Sequence, residues 1–448
     1  MNIAIGKIKQ FLCVAGDIAM FYLALFLTLA IRYGAVWERH WQVHFLPFTI
    51  ISISSLIVFY VIGLYDLSLA RNNLFFFITL TQALLFSIIL AVLFFYFIPY
   101  FGITPKTNLF ISFLIFSLLF VLWRQFYNRF IKSQALLNNV LILGQDQETK
   151  ELVQYVKSNP QLGYYIKKVL PPEDVRLLHN LIDIIMKEKI QTAVIDVDPH
   201  KDKNLIQNLY QCLPLKIMVA DLPAFYEKIT GKIPVSSIGE IWFLQNLMND
   251  QKTFFKGIKR IIDIIFAILI SVPSLVLTPL IIFLIKIDSK GPIFYRQKRV
   301  GQDSRIFEII KFRTMVQDAE KQDAQWAKDN NKRITRVGRF LRKIRLDELP
   351  QIWNVLKGEM SFVGPRPERP EFAFSEDLLE QIPFYQVRQS IKPGLTGWAQ
   401  IKYPHSATIK DTMQKLQYDL FYIKNRSIPL ELAIILKTIK IILSGGGR

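Results

Sequence analysis

The densest chemistry in this chain lies at Asp347 and Glu348. These two carboxylates are adjacent in Arg345-Leu346-Asp347-Glu348-Leu349-Pro350-Gln351, with Arg342 just before them. Lys311 and Arg313 stand upstream in Lys311-Phe312-Arg313-Thr314-Met315, and Arg366 downstream in Gly364-Pro365-Arg366-Pro367. An acid pair among repeated cations suits chemistry on a phosphorylated substrate. Basic groups can hold phosphate oxygens, and acids can supply a nucleophile and a metal ligand. The plain alternative is a solvated acid pair at a helix end. All of this lies C-terminal to a strongly apolar region, so a soluble phosphate donor and a lipid acceptor are the expected substrates.

The elements that must position these groups start in a membrane. Of 448 residues, 51% are apolar, too many for an ordinary soluble enzyme, and the net charge of +19 suits contact with anionic headgroups. Nucleic acid would also fit the charge, but no zinc-finger spacing or RNP-type aromatic motif is present, so no nucleic-acid partner is expected. Cys13 and Cys212 are the only cysteines and fall in different regions, which excludes a cysteine metal site and argues against a disulfide. Apolar runs at 11–31, 45–64, 74–98 and 109–123 approach or exceed the roughly 17–25 residues that span a bilayer. If the runs alternate, Lys7, Lys9, Arg71, Arg124, Arg129 and Lys132 share one side, and Arg32, Arg39 and Lys106 the other. The richer side is expected in the cytoplasm. Asp17, inside the first run, is read as a packed structural acid, with no other charge deep enough to meet it.

From residue 133 the pattern changes. Strands are expected at 139–144, 164–170, 192–197 and 216–220, and helices at 146–158, 175–189 and 204–212, the alternation of a small parallel α/β layer. It resembles a Rossmann-like domain without its nucleotide loop: Gly144-Gln145-Asp146-Gln147-Glu148 lacks the second glycine of G-x-G-x-x-G. Tyr164 and Lys168 have the Y-x-x-x-K spacing of short-chain dehydrogenases, but in a strand. A fifth apolar run, 261–285, has Lys256, Lys259 and Arg260 before it and Lys286, Lys290 and Arg296 after it, and Pro273 and Pro279 within it. Charges at both ends ask for both ends on one side, so a broken, re-entrant helix is expected, with Asp263 at headgroup level. The segment 429–443 suits either an interfacial amphipathic helix or core packing.

These residues, with Gly291-Pro292-Ile293-Phe294, Gln297, Arg299, Gly301, Asn354-Val355-Leu356-Lys357-Gly358-Glu359-Met360-Ser361, Pro393-Gly394-Leu395-Thr396-Gly397-Trp398-Ala399-Gln400 and Tyr418-Asp419, resemble the bacterial sugar transferases. That family comprises the polyprenyl-phosphate hexose-1-phosphate transferases. The resemblance is strong over 252–448, and the leading helices and α/β domain resemble the long members that initiate exopolysaccharide or O-antigen synthesis. It implies a membrane protein of three parts. Residues 1–132 form a four-helix transmembrane bundle, 133–250 a degenerate Rossmann-like domain, and 251–448 a monotopic α/β catalytic domain with its re-entrant helix near 261–285. It implies transfer of sugar-1-phosphate from a UDP-sugar to undecaprenyl phosphate at the bacterial inner membrane, on the cytoplasmic side, with release of UMP. Asp347 then corresponds to the nucleophile and Glu348 to the Mg²⁺ ligand. Lys311, Arg313, Arg342 and Arg366 are expected on the phosphates; Arg345 stands where relatives have a small polar residue and is left out. Pro393, Gly394 and Gly397 set a tight loop. Trp398 either stacks on a base or sugar or anchors in the interface. Relatives break the re-entrant helix at Ser-Pro, whereas this chain offers Pro273-Ser274 and Thr278-Pro279, with the Thr278 hydroxyl able to satisfy freed backbone. The segment 414–419 favours glucose over galactose, and the bulk of the extra domains suggests a homodimer. A sugar-nucleotide oxidoreductase on the α/β domain and a non-enzymatic scaffold are the rival functions.

Overall fold

The computed structural model describes residues 3–98, 106–131, 137–171, 181–196, 203–247, 253–316, 333–403 and 408–443. Its contacts divide the chain into two units, Met1–Phe225 and Tyr226–Arg448.

The first unit opens with four helices: α1 Ile3–Tyr33, α2 Trp37–Ile62, α3 Leu74–Phe97 and α4 Lys106–Phe130. Local chemistry sets their ends. Gly63 takes φ 92° and closes α2 with its N–H on the Phe59 and Tyr60 carbonyls, and the Asn73 side chain accepts from Phe76 N at 2.9 Å to start α3. Leu25, Leu29, Phe48, Phe59, Phe76 and Phe120 form the bundle interior, while Leu74, Leu85 and Leu114 stay exposed on its outside. The stretches Ile8–Ile62, Leu74–Phe97, Thr107–Phe130 and Phe255–Asp288 are long and apolar enough to cross a bilayer, so this is a membrane protein.

One expectation about the bundle fails. Asp17 does meet a base: Arg124, read from sequence as a loop cation, is 1% exposed and its Nη2 lies 2.6 Å from Asp17 Oδ2. The Arg124 guanidinium also donates to the Leu64 carbonyl and sits near the Tyr65 and Phe120 rings, and Trp123 Nε1 donates to Asp17 Oδ1 at 3.1 Å. A buried pair is tolerated when most of its donors and acceptors are met, as here, where Nε of Arg124 is the guanidinium nitrogen left without a partner among the described residues. Arg124 therefore does not face lipid headgroups. Lys132 lies outside the described residues.

The α/β layer follows the expected order. Strands β1 Asn138–Leu143, β2 Tyr164–Leu170, β3 Thr192–Ile195 and β4 Met218–Asp221 form one parallel sheet ordered β2-β1-β3-β4. The helix Gln147–Ser158 links β1 to β2. Part of the helix expected at 175–189 lies outside the described residues; the rest is Leu181–Lys187. Tyr164 and Lys168 are in β2 and not in a helix. At the carboxyl end of β1, the Thr149 hydroxyl donates to Asp196 Oδ2 at 2.6 Å, and a Cβ on Gly144 would meet Asp196 Cβ at 2.4 Å. Arg71, in the loop between α2 and α3, donates to the Ser158 carbonyl and to Asn159 Oδ1, which joins the bundle to this layer.

The second unit includes residues that the expected boundary at 250 had assigned to the α/β domain: Ile233, Val235 and Ile238 pack with Val363, Leu416 and Ile434. Its main feature is the helix Thr253–Asp288, which is continuous, with Pro273 and Pro279 inside it. Straight, its 36 residues would extend about 54 Å. Yet both ends dock on this one unit. Near the start, Asp263 accepts from the Ser361 hydroxyl and Phe362 N, and Arg260 donates to the Val355 and Leu356 carbonyls. At the far end, Asp288 Oδ2 accepts from Val337 N, and Ile281 and Ile285 pack on Phe312 and Leu341. Asp263 is thus buried in protein, its carboxylate claimed by two donors from the strand after Met360. Thr278 Oγ1 bonds the Ser274 carbonyl, not the Leu275 carbonyl from which Pro279 withholds a donor. With the Ser271 and Ser274 hydroxyls on the Ala267 and Ile270 carbonyls, it makes a run of back-bonds of the kind that bends helices. The helix Ile428–Leu443 packs Ile434 and Ile435 into the core, with Leu432 and Ile439 exposed on its other side.

Candidate active site

Four elements of the second unit converge on the acid pair. The hairpin of β5 Phe294–Val300 and β6 Ile306–Phe312 brings Lys311. The helix Arg336–Lys343, capped by the Thr335 side chain on Gly338 N, brings Arg342. Arg345 then takes φ 55°, an uncommon conformation for a residue with a side chain, and turns the chain into the 3₁₀ helix Leu346–Gln351 that carries Asp347 and Glu348. Arg366 follows β7 Ser361–Val363, which pairs in parallel with β8 Gly394–Thr396. That seam needs glycine: Gly364 N donates to the Thr396 carbonyl, Gly394 N to the Pro365 carbonyl, and a Cβ on Gly394 would lie 2.1 Å from Gly364 N.

Glu348 Oε1 accepts from Lys311 Nζ at 2.8 Å and Arg366 Nη2 at 2.9 Å. Burial alone would raise the Glu348 carboxyl, but Arg366, Lys311 and Arg345 outweigh it and hold it well below the usual carboxylate range. Lys311 itself is pushed down by burial, offset in part by Glu348. Asp347 differs from its neighbour. It is 8% exposed, and among the described residues no hydrogen bond or ion pair reaches its carboxylate. Burial and repulsion from Glu348 push it up to about 6, against the pull of Lys311, Arg342 and Arg366. At neutral pH such a group is mostly ionised and more basic than an ordinary aspartate. One acid is therefore neutralised by two cations, and the other is left free to react. Arg366, its side chain 37% exposed, and Lys311 both point at the same oxygen, so a phosphate arriving there would meet positive charge already in place.

Of the residues expected on the phosphates, Lys311 and Arg366 bind Glu348 directly. Arg342 acts on Asp347 through its charge alone. Arg313 is elsewhere: its guanidinium donates to the Ser289 and Lys290 carbonyls at 2.7 Å and to the Ser289 hydroxyl at 3.0 Å, closing the end of the long helix. These carbonyls belong to the two residues that follow the helix end at Asp288, so the arginine at the end of β6 holds the turn out of the helix. Trp398 is partly buried and packs against the core of the second unit. Its indole N–H donates to the Gly231 carbonyl, and its ring stacks on Phe421 with Lys402 and Lys437 near its face. Arg388 and Glu368 were not singled out from the sequence, and Asp419 entered only as part of the family pattern, with no role. Arg388 pairs with Glu368 at 3.2 Å and Asp419 at 2.9 Å and donates to the Arg366 carbonyl at 3.2 Å. Charge spacing gives no warning of such a set, since its members are distant in sequence.

Residues 254–445 match a protein family described as bacterial sugar transferase. The UDP-N-acetylgalactosamine-undecaprenyl-phosphate N-acetylgalactosaminephosphotransferase of Aeromonas hydrophila is 41% identical over 239 residues, 53% of this chain and 55% of that protein. The UDP-glucose:undecaprenyl-phosphate glucose-1-phosphate transferase of Xanthomonas campestris pv. campestris is 32% identical over 340 residues, 71% of this chain and 69% of that protein. The enzyme of the same description from Escherichia coli K12 is 40% identical over 190 residues, 41% of this chain and 39% of that protein. The match thus spans about half the length of the Aeromonas relative and over two thirds of the Xanthomonas one.

Proposed function

The chain belongs to the bacterial sugar transferase family, and from that premise we propose that it moves sugar-1-phosphate from a UDP-sugar to undecaprenyl phosphate. The observation that supports this most is the division of labour at the acid pair: a free, basic Asp347 beside a Glu348 held by Lys311 and Arg366. In this reading the Asp347 carboxylate attacks the phosphorus next to the sugar. The bond to the UMP oxygen breaks, UMP leaves, and an acyl phosphate to the sugar remains on Asp347. The lipid phosphate then attacks the same phosphorus and releases the carboxylate, which gives ping-pong kinetics. Lys311 and Arg366 stabilise charge on the phosphate oxygens through both steps, and Arg342 keeps Asp347 ionised.

Asp347 and Glu348 supply hard oxygen donors of the kind Mg²⁺ takes, and both cations on Glu348 use the same oxygen, Oε1, which leaves the other oxygen available. Glu348 is the residue we assign to hold Mg²⁺, with Asp347 adjacent. Bound there, the metal would neutralise charge on the donor's diphosphate.

We read the helix Thr253–Asp288 as re-entrant, bent near Pro273 and Pro279, because both its ends dock on one unit. Lys7, Lys9, Arg71, Arg129 and Lys132 still outnumber Arg32, Arg39 and Lys106 without Arg124, which supports a catalytic unit on the cytoplasmic face of the inner membrane. The parallel sheet supports a Rossmann-like reading of the α/β layer; a cavity of about 610 Å³ opens beside β1, lined by Gly144, Thr149 and Lys157, but Gly144-Gln145-Asp146-Gln147-Glu148 lacks the second glycine of the phosphate loop, which argues against the oxidoreductase reading.

The test uses purified full-length protein in nanodiscs with Mg²⁺, undecaprenyl phosphate and a panel of UDP-glucose, UDP-galactose and UDP-N-acetylgalactosamine. UMP that appears with one donor and needs the lipid names the reaction and the sugar. UMP from none of them would sink the reading.

A further inference from the structure

The β5–β6 register sets Tyr295 opposite Lys311, Gln297 opposite Ile309 and Arg299 opposite Phe307. Directly opposed residues of an antiparallel pair share a face, so Arg299 lies on the same face as the lysine that binds Glu348. Arg299 Nη1 donates to the Pro367 carbonyl at 3.0 Å and Nη2 to Gln297 Oε1 at 2.6 Å. Two guanidiniums therefore grip the backbone of the Arg366 loop, Arg299 at Pro367 and Arg388 at Arg366 itself.

They differ in what neutralises them. Arg388 has Glu368 and Asp419. Arg299 has no ion pair among the described residues; Glu368, the acid whose field it feels, is bound to Arg388. Its Nε is buried without a partner. Burial and the charge of Arg366 push the Arg299 guanidinium down to about 10. A half-buried cation next to a second cation, with one donor unmet, costs free energy that an arriving anion relieves. Simple bracing of a loop would not require that charge to stay unpaired, and Arg388 braces the same loop with its charge fully matched.

We propose that Arg299 is a positioning residue for the donor's phosphates: it pins the Pro367 carbonyl so that Arg366 reaches Glu348, and its unpaired charge adds to the field that draws a diphosphate to the site. This rests on the donor reading above and deepens it. The experiment measures binding of UDP and of inorganic pyrophosphate by calorimetry to full-length wild type, Arg299→Met and Arg299→Lys in nanodiscs with Mg²⁺. Melting temperatures and the KM and kcat for the UDP-sugar accompany it. Arg299→Met should weaken both ligands about tenfold or more and raise KM more than it lowers kcat. Arg299→Lys, which keeps the charge and loses the fork, should recover part of the affinity, and rising salt should narrow its gap to Arg299→Met. Wild-type affinity in Arg299→Met overturns the proposal. So does a Lys variant that binds as weakly as Met with an equal fall in melting temperature, since that is a brace alone. Wild-type protein that binds neither ligand would instead overturn the donor reading, and this inference with it.

Discussion

At the scale of single residues, the difference between Asp347 and Glu348 organises the chemistry. They are neighbours of the same charge, yet one is held by Lys311 and Arg366 and the other is buried and unengaged. Asp347→Asn keeps the shape and removes the nucleophile, so UMP release should fall below about one thousandth of wild type while the melting temperature stays close. The pH dependence follows from the direction of the shift. Asp347 is pushed up to about 6, the reactive form is the ionised one, and so kcat/KM should fall as pH drops below about 6 and stay flat above it on this limb. A limb centred near the ordinary aspartate value would contradict the burial argument. Arg366→Lys should cost about 10²-fold or more in kcat, because a point charge cannot meet Glu348 and a phosphate as a fork does.

At the scale of elements, the site depends on two close approaches. The β7–β8 seam carries Arg366, and Gly394→Ala would drive a methyl to within 2.1 Å of Gly364 N. We expect it to lower stability by about 1–3 kcal/mol, read as a lower melting temperature, and to reduce activity by more than that loss of fold explains. The other is the docking of both ends of Thr253–Asp288 on the catalytic unit. In a chain whose Cys13 and Cys212 are replaced by serine, cysteines at Lys256 and Lys290 should both react with an impermeant maleimide only after the cytoplasmic face is opened. A cysteine at Val276 should stay protected. Labelling of Lys256 and Lys290 positions from opposite faces would mean a spanning helix and would end the re-entrant reading. Arg313 belongs to this scale: by binding the Ser289 and Lys290 carbonyls it fixes where that helix stops relative to β6.

At the scale of the whole molecule, the bundle is locked by a charge pair between its first and fourth helices. Asp17→Leu or Arg124→Met alone should destabilise the bundle by about 3–5 kcal/mol, since each leaves an unpaired charge in an apolar interior, while the double replacement should recover most of the loss. Thermal melting of the three variants in one detergent reads this directly, and a double loss equal to the sum of the two single losses would mean the two side chains are not coupled. Much of the molecule was legible beforehand. Four apolar runs became α1 to α4, the strand pattern became β1 to β4, and the acid pair with Lys311 and Arg366 became one cluster. Those features are written in periodicity, in stretches of apolar length and in short-range motifs, which act locally and survive in one dimension. Four things were not legible: that Arg124 turns inward to Asp17, that Asp263 is claimed by Ser361 and Phe362, that Arg313 binds the turn after the long helix, and that Arg299 has no ion pair among the described residues. Each depends on which distant groups share a small volume, and a charge read along the chain is the same symbol whether it meets water, a carbonyl or a carboxylate. Residue types and spacing determined that this membrane protein has an acid pair among cations. Only packing decided which acid is free, because that depends on burial and on the side chains brought in from other elements.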